Sequence, residues 1–161
     1  MNIVIRKVCV SDIETICGIA VAAWKPIYEI FRENMGDELF NIIHPDWKME
    51  KSQQVRCNAM NYPEQVYVTE KDGKIVGFTS FYINEEKKYG EITNNAVHPE
   101  YQGLGIGKLQ HNKLLEIFRK KGMKHAMVTT GLDKAHEKAR ISYEKVGFRP
   151  MRSSVTYFQK L

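Results

Sequence analysis

Val97-His98-Pro99-Glu100-Tyr101-Gln102-Gly103-Leu104-Gly105-Ile106-Gly107-Lys108 is the most informative stretch of the 161-residue chain. Three glycines alternate between a strand-like pattern at about 89–97 and a helical pattern at about 106–121. Glycine lets a backbone approach a ligand closely and exposes successive N–H groups. The N-terminus of a helix adds unpaired donors and the positive end of its dipole. Strand, glycine turn and helix together suit a pyrophosphate. Two familiar phosphate loops fail on spacing. A Walker A loop needs four residues between its glycines, then Lys and Ser or Thr. Here three residues separate Gly103 from Gly107, and Leu109 follows Lys108. The dinucleotide fingerprint needs a glycine three residues after its second. Those positions hold Lys108 or Gln110.

Working outward, the helix after the turn presents Ile106, Leu109, Leu114 and Ile117, widened by Leu115 and Phe118 and interrupted by Gln110 and Lys113. Gly122 stops it. Upstream, strands at 65–70 and 74–83 flank the hairpin signal Lys71-Asp72-Gly73, and a turn at 85–88 leads to the strand at 89–97. Downstream come a strand at about 124–130 and a helix carrying Ala135, Ala139, Tyr143 and Val146, closed by Gly147. Short strands are predicted near 148–150 and 155–158. Near the start, residues 3–8 read as a strand, and Ser11-Asp12-Ile13-Glu14 reads as a capping box. Ile13, Ile16, Cys17, Ala20 and Trp24 follow at helical spacing, and Pro26 ends or kinks that helix. Residues 27–60 predict one or two short helices. The order is β-α-(α)-β-β-β-α-β-α-β-β, an antiparallel meander joined to a strand-helix-strand unit.

Composition narrows the classes. Hydrophobic residues make up 43% and charged residues 27%, the balance of a globular domain rather than a disordered chain. No apolar run reaches the ~20 residues of a membrane span. Charge early in Met1-Asn2-Ile3-Val4-Ile5-Arg6-Lys7 argues against a secretory leader. Three cysteines (Cys9, Cys17, Cys57) lack metal-type spacing, and the five histidines are scattered, so no metal is expected. The expected location is cytoplasmic. The net charge of +5 favours anionic partners. Its Lys and Arg are spread along the chain, however, and no nucleic-acid-binding pattern is present, so neither nucleic acid nor a membrane is expected as a partner.

On these residues the chain resembles the GNAT superfamily of acyl-CoA N-acyltransferases. Its glycine loop reads roughly Gln/Arg-x-x-Gly-x-Gly/Ala, and Gln102, Gly105 and Gly107 match it. Ala96-Val97-His98-Pro99-Glu100 resembles the end of the family's fourth strand. Ala139-Arg140-Ile141-Ser142-Tyr143-Glu144-Lys145-Val146-Gly147-Phe148 resembles its last helix. The strong matches cover residues 90–148. The resemblance implies one α/β (α+β) domain over residues 1–161. Its central mixed, mostly antiparallel sheet would have six to seven strands, splayed between the fourth and fifth and flanked by about four helices.

The resemblance also implies a chemistry. Acetyl-CoA would lie in the splay. Backbone N–H groups along Gln102, Gly103, Leu104, Gly105, Ile106 and Gly107, with Lys108 beside them, would hold its pyrophosphate. Ala96, Val97 and His98 would pair with the pantetheine. An amine would attack the thioester directly. Glu91, or a water network in its place, would accept the amine's proton, and Tyr143 would protonate the leaving thiolate. His136 stands where the family commonly has a cofactor-contacting Asn. The segment after the first helix would wall the acceptor side, where Trp24, Tyr28, Glu29 and Glu33 would bind the acceptor and favour a cationic amine. The partners implied are acetyl-CoA and an amine acceptor, with homodimer formation left open. A competing reading is a CoA-binding sensor that has lost catalysis.

Overall fold

The computed structural model describes residues 2–161. Five strands form one sheet in the order β1-β2-β3-β4-β5: β1 (Ile3–Lys7), β2 (Val66–Lys71), β3 (Lys74–Asn84), β4 (Tyr89–Val97) and β5 (His125–Val128). The first four are antiparallel neighbours. β5 joins β4 in parallel, after the crossover helix α3 (Ile106–Lys120) that such a connection requires. The other helices are α1 (Ile13–Ile43), α2 (Trp47–Asn61) and α4 (Glu137–Glu144).

Two apolar clusters sandwich the sheet. On one face Ile13, Ile16, Ile19 and Ala20 of α1 and Val55 and Ala59 of α2 pack on Val66, Val68, Phe78 and Ala96. On the other, Leu114 and Phe118 of α3 pack on Phe81 and Ile92. Gly90 belongs to this second contact, since a Cβ there would meet the Phe118 ring at 2.5 Å.

Several local expectations change. The helix runs through Pro26, and its break falls at Gly36, whose φ of 75° and ψ of 161° leave the helical region. The start of α1 is not capped by Ser11 and Glu14. Asp12 instead accepts a hydrogen bond from the Cys9 N–H (2.8 Å) and a bidentate one from Arg6, while Glu14 pairs with Arg56 on α2. The Arg6 guanidinium holds the Asp12 carboxyl down at about 2. In α3 the buried stripe is Ile106, Gln110, His111, Leu114 and Phe118, and Leu109 is turned out, 42% exposed. The sheet has five strands rather than six or seven. Residues 148–150 and 155–158 form no strand, because nothing pairs with the outer edge of β5. Met151, Val155, Tyr157 and Phe158 are accordingly exposed.

Candidate active site

β4 and β5 are hydrogen-bonded only from Tyr89/His125 to Ile92/Val128. β4 then runs on to Val97 with no neighbour on that side. The result is a V-shaped gap whose point lies at Ile92 and whose mouth opens towards the glycine turn. A second irregularity falls at the same place. Ser80 faces Asn94 and Phe81 faces Ile92, so Thr93 is an extra residue, a β-bulge. Both Thr93 and Asn94 bond Ser80. Asn95 turns to the opposite face and donates to Gln110 Oε1 of α3 at 2.8 Å.

At the mouth, the chain leaves β4 through a short 3₁₀ turn at Pro99–Tyr101. Gln102 is structural here: its side chain donates to Val97 O (3.2 Å) and its N–H to Pro99 O (3.3 Å). Gly103 and Gly105 have φ of 81° and 77°, left-handed values that cost an L side chain roughly 1–2 kcal/mol. Among the described residues, the N–H groups of Gly103, Leu104 and Gly105 make no hydrogen bond. Those of the first helical turn precede the first i→i−4 bond, from Leu109 to Gly105 at 3.2 Å. Gly105 is the N-cap and offers no side-chain acceptor. The turn is therefore a concave run of free donors at the positive end of a 15-residue helix. Ile106 serves it by backbone alone, since its side chain is core, whereas Lys108 is exposed. Gly107 has another task. A Cβ there would come within 3.3 Å of Ser142 Oγ, so it lets α4 close on α3.

That closure places Tyr143. Its ring packs at 4.5 Å on His111 of α3 and at 6.0 Å on Phe148, and Ser142 Oγ lies 3.3 Å from His111 Nδ1. Burial pushes the Tyr143 phenol up to about 12 and His111 down to about 4. Both are neutral at working pH, and the Tyr143 hydroxyl is engaged by no other described residue. His136 Nδ1 lies 2.6 Å from Asp133 Oδ2, leaving Nε2 as its remaining ring nitrogen. Glu91 is half buried between Tyr82 of β3 and Met127 of β5. It makes no hydrogen bond or ion pair among the described residues. It lies in the zipped part of the strand pair, just before the point of the V.

The four acceptor-side residues do not converge. Trp24 and Tyr28 share one face of α1, while Glu29 and Glu33, one and five residues past Tyr28, lie about 100° and 140° round the helix. The Trp24 ring is already covered by the Lys51 ammonium at 3.7 Å. Tyr28 stacks on Trp47 at 4.3 Å. Glu29 reaches Lys25, and Glu33 faces solvent. Sequence reasoning missed Lys51, although it heads the four-residue-spaced stripe Lys51, Val55 and Ala59 that α2 buries. It also missed His111, the neighbour of Gln110 in the buried stripe of α3. Beside the bulge, a hollow of about 310 Å³ is bounded by Ser80, Tyr82 and Thr93 and by Asn58, Tyr62 and Gln65. Among the described residues no three His, Cys, Asp or Glu side chains are grouped to hold a metal, and no helix is long and apolar enough to cross a membrane.

The profile of the acetyltransferase (GNAT) family matches residues 24–148, which include the whole of the gap and the glycine turn. The chain belongs to this family. Its similarity to curated GNAT relatives is partial. It is 28% identical over 96 residues to mycothiol acetyltransferase of Streptomyces coelicolor, covering 59% of this chain and 30% of that protein. It is 33% identical over 90 residues to glucosamine 6-phosphate N-acetyltransferase of Trypanosoma brucei brucei, covering 53% and 58%. The chain thus spans under a third of the first relative's length. The fold is shared with PaiA N-acetyltransferase of Thermoplasma acidophilum, solved with coenzyme A, at a TM-score of 0.71 and 22% identity over 96% of this chain and 94% of that one. A GNAT family acetyltransferase of Brucella melitensis, solved with acetyl-CoA, gives 0.61 and 19% over 92% and 84%.

Proposed function

We propose that this GNAT chain is an N-acetyltransferase that moves the acetyl group of acetyl-CoA to a primary amine of a small molecule or peptide, by direct attack within a ternary complex. The observation that carries the reading is the coincidence of two features at one end of β4: an unpaired strand edge and a run of free N–H donors at a helix N-terminus. The donor set fits a pyrophosphate. Gly103 to Gly107 offer N–H groups, with no side chain at Gly103 or Gly105 and that of Ile106 turned to the core, and the exposed Lys108 adds a cation. The edge of β4 beyond Ile92, which no strand covers, faces an extended amide-bearing arm in the manner of an added strand, although Val97 O and both main-chain groups of His98 are already engaged by Gln102, Val76 and Tyr101.

The remaining steps fall to named side chains. Tyr143, held neutral by burial, can donate its proton to the departing thiolate and has no competing partner. Glu91 takes the amine's proton through water, because it lies before the point of the V rather than inside it. Ser80 and Thr93 bring the 310 Å³ hollow up to the same bulge, which gives an acceptor a route to β4 from the α2 side. His136 Nε2 is the group left to meet the cofactor in place of an asparagine. With Cys9, Cys17 and Cys57 all free thiols, a reducing cytoplasm suits the chain.

The test is a melting curve with and without millimolar acetyl-CoA. A ligand at 100 times its dissociation constant stabilises by about 2.7 kcal/mol, so wild-type protein should melt several degrees higher. Gly105→Glu should melt cooperatively and show no shift, because it places a carboxylate where the anion belongs. An unshifted wild-type curve, or a shift that survives in Gly105→Glu, would refute the reading.

A further inference from the structure

Lys51 is the one lysine side chain that the described structure buries, at 8% exposure. It projects from the start of the second turn of α2 on to β4. Its Nζ donates to Asn94 Oδ1 and to Gln54 Oε1, each at 2.8 Å, and sits 3.7 Å above the Trp24 ring. No carboxylate pairs with it among the described residues. Two carbonyl oxygens and a ring face account for all three N–H bonds of an ammonium. The ammonium is thus fully partnered by the protein, and Lys51 is not poised as a base for the acceptor's proton.

What the cation does is fix Asn94. With Oδ1 committed to Lys51, the amide can point only Nδ2 at Ser80 Oγ, 3.2 Å away. Ser80 Oγ in turn shares a hydrogen with Thr93 Oγ1 at 2.9 Å, and Thr79 Oγ1 donates to Asn94 O at 3.0 Å. The chain of bonds runs from α2 through β4 to β3 and closes on the extra residue of the bulge. The bulge sits where β4 parts from β5.

We propose that Lys51 is a positioning residue of the acetyl-transfer site: by orienting the Asn94 amide it fixes the Thr93–Asn94 bulge, and so the line along which the free edge of β4 faces the gap. The role rests on reading that gap as the acetyl-CoA site. Lys51 reaches β4 by its hydrogen bond to Asn94 Oδ1 and acts through that amide.

The variants are Lys51→Met, which keeps the stem and removes the ammonium, Asn94→Ala, and the pair together. Two quantities are measured: the dissociation constant of acetyl-CoA by calorimetry, and amide hydrogen exchange of peptides covering 93–97. Lys51→Met should weaken acetyl-CoA binding about tenfold, the loss expected from one charge-assisted hydrogen bond's worth of order, and should speed exchange at 93–97. The double variant should be no worse than Asn94→Ala, because both changes cut the same chain. Unchanged affinity and exchange in Lys51→Met, additive effects in the double variant, or a lower melting temperature with affinity intact would each overturn the proposal. If Lys51→Met fails to fold, Ser80→Ala severs the chain from its other end and should show the same two effects. If wild-type protein binds no acetyl-CoA, the reading of the gap fails, and the exchange measurement still judges Lys51.

Discussion

The two faces of β4 treat buried ionisable groups differently. On the α3 face, His111 is driven down to about 4 and the Tyr143 phenol up to about 12, so each is neutral near pH 7. On the α2 face, burial lowers Lys51 only to about 8, which leaves it charged at neutral pH. One cause, loss of water around the charged form, gives all three shifts. His111 is lowered from 6.5 and Lys51 from 10.5 by similar amounts, so the difference lies in the starting value: a lysine lowered this far is still charged at pH 7, and a histidine is not. Lys51 has two carbonyl oxygens and an aromatic face. His111 Nε2 has no hydrogen-bond partner among the described residues, and Nδ1 meets the Ser142 hydroxyl at 3.3 Å. One face therefore stores a neutral proton donor, and the other a fixed charge.

The sharpest way to break this contrast is Tyr143→Phe. If the phenol is the stored donor, turnover should fall by about 10²–10⁴-fold, with acetyl-CoA affinity nearly unchanged. The loss should be constant from pH 6 to 10, because the phenol does not ionise until about 12. A rate equal to wild type where chemistry limits turnover would remove Tyr143 from the reaction.

A smaller effect is expected from His111 on acid stability. Its folded value of about 4 lies below its ordinary 6.5. The unfolded chain then binds the extra proton first as pH falls, and stability present above 6.5 is lost on the way down to 4. The full loss is about 3 kcal/mol. Urea midpoints measured between pH 7 and 4 should fall less steeply in His111→Phe, which keeps a ring against Tyr143. Parallel curves would mean that the imidazole is charged after all.

The smallest effect concerns Lys51 at the alkaline end. Its folded value of about 8 lies below the ordinary 10.5, so the buried cation costs stability below pH 8. That cost is lifted as pH rises from 8 to 10.5. Gln54 is exposed and lets water reach one side of the ammonium, which holds the gain to about 2 kcal/mol. The stability difference between wild type and Lys51→Met should shift in favour of wild type over that window. A difference that stays flat would place Lys51 among ordinary surface lysines.

Much of this arrangement could be read from the chain alone. The meander, α3 and the glycine turn announced themselves because periodicity, turn residues and glycine spacing are local properties. Tyr143 was legible for the same reason, as one position in a periodic helix. Other features depend on partners distant in sequence. Asp12 turns its carboxylate back to the Cys9 N–H and to Arg6, which Glu70 also holds, rather than to α1, so the Ser11–Glu14 pattern was a false lead. Pro26 is carried within α1, and the break comes at Gly36, where the backbone takes a left-handed φ. Gln110 looked like an interruption in an apolar face. It is fully buried, accepting from Asn95 and donating to Thr69 Oγ1 (3.0 Å) and Ala96 O (3.3 Å). Lys51 stayed hidden because a lysine in an amphipathic helix normally faces water, and only the fold brings Asn94 and Trp24 to it.

The parallel pairing of β4 with β5 bears on how the molecule comes together. Asn84 and Tyr89, which close the β3–β4 hairpin, are five residues apart in the chain. Tyr89 and His125, which begin the β4–β5 contact, are 36 apart, with all of α3 between them. The longer loop costs more entropy to close and delivers its reward later. The meander can form from local contacts, whereas the second wall of the gap waits for α3 to dock. Four residue pairs then secure that wall, and β5 has no strand on its outer side. A pull on the chain end beyond β5 would unzip those four pairs before it disturbed the meander, and the cleft would be the first feature of the molecule to disappear.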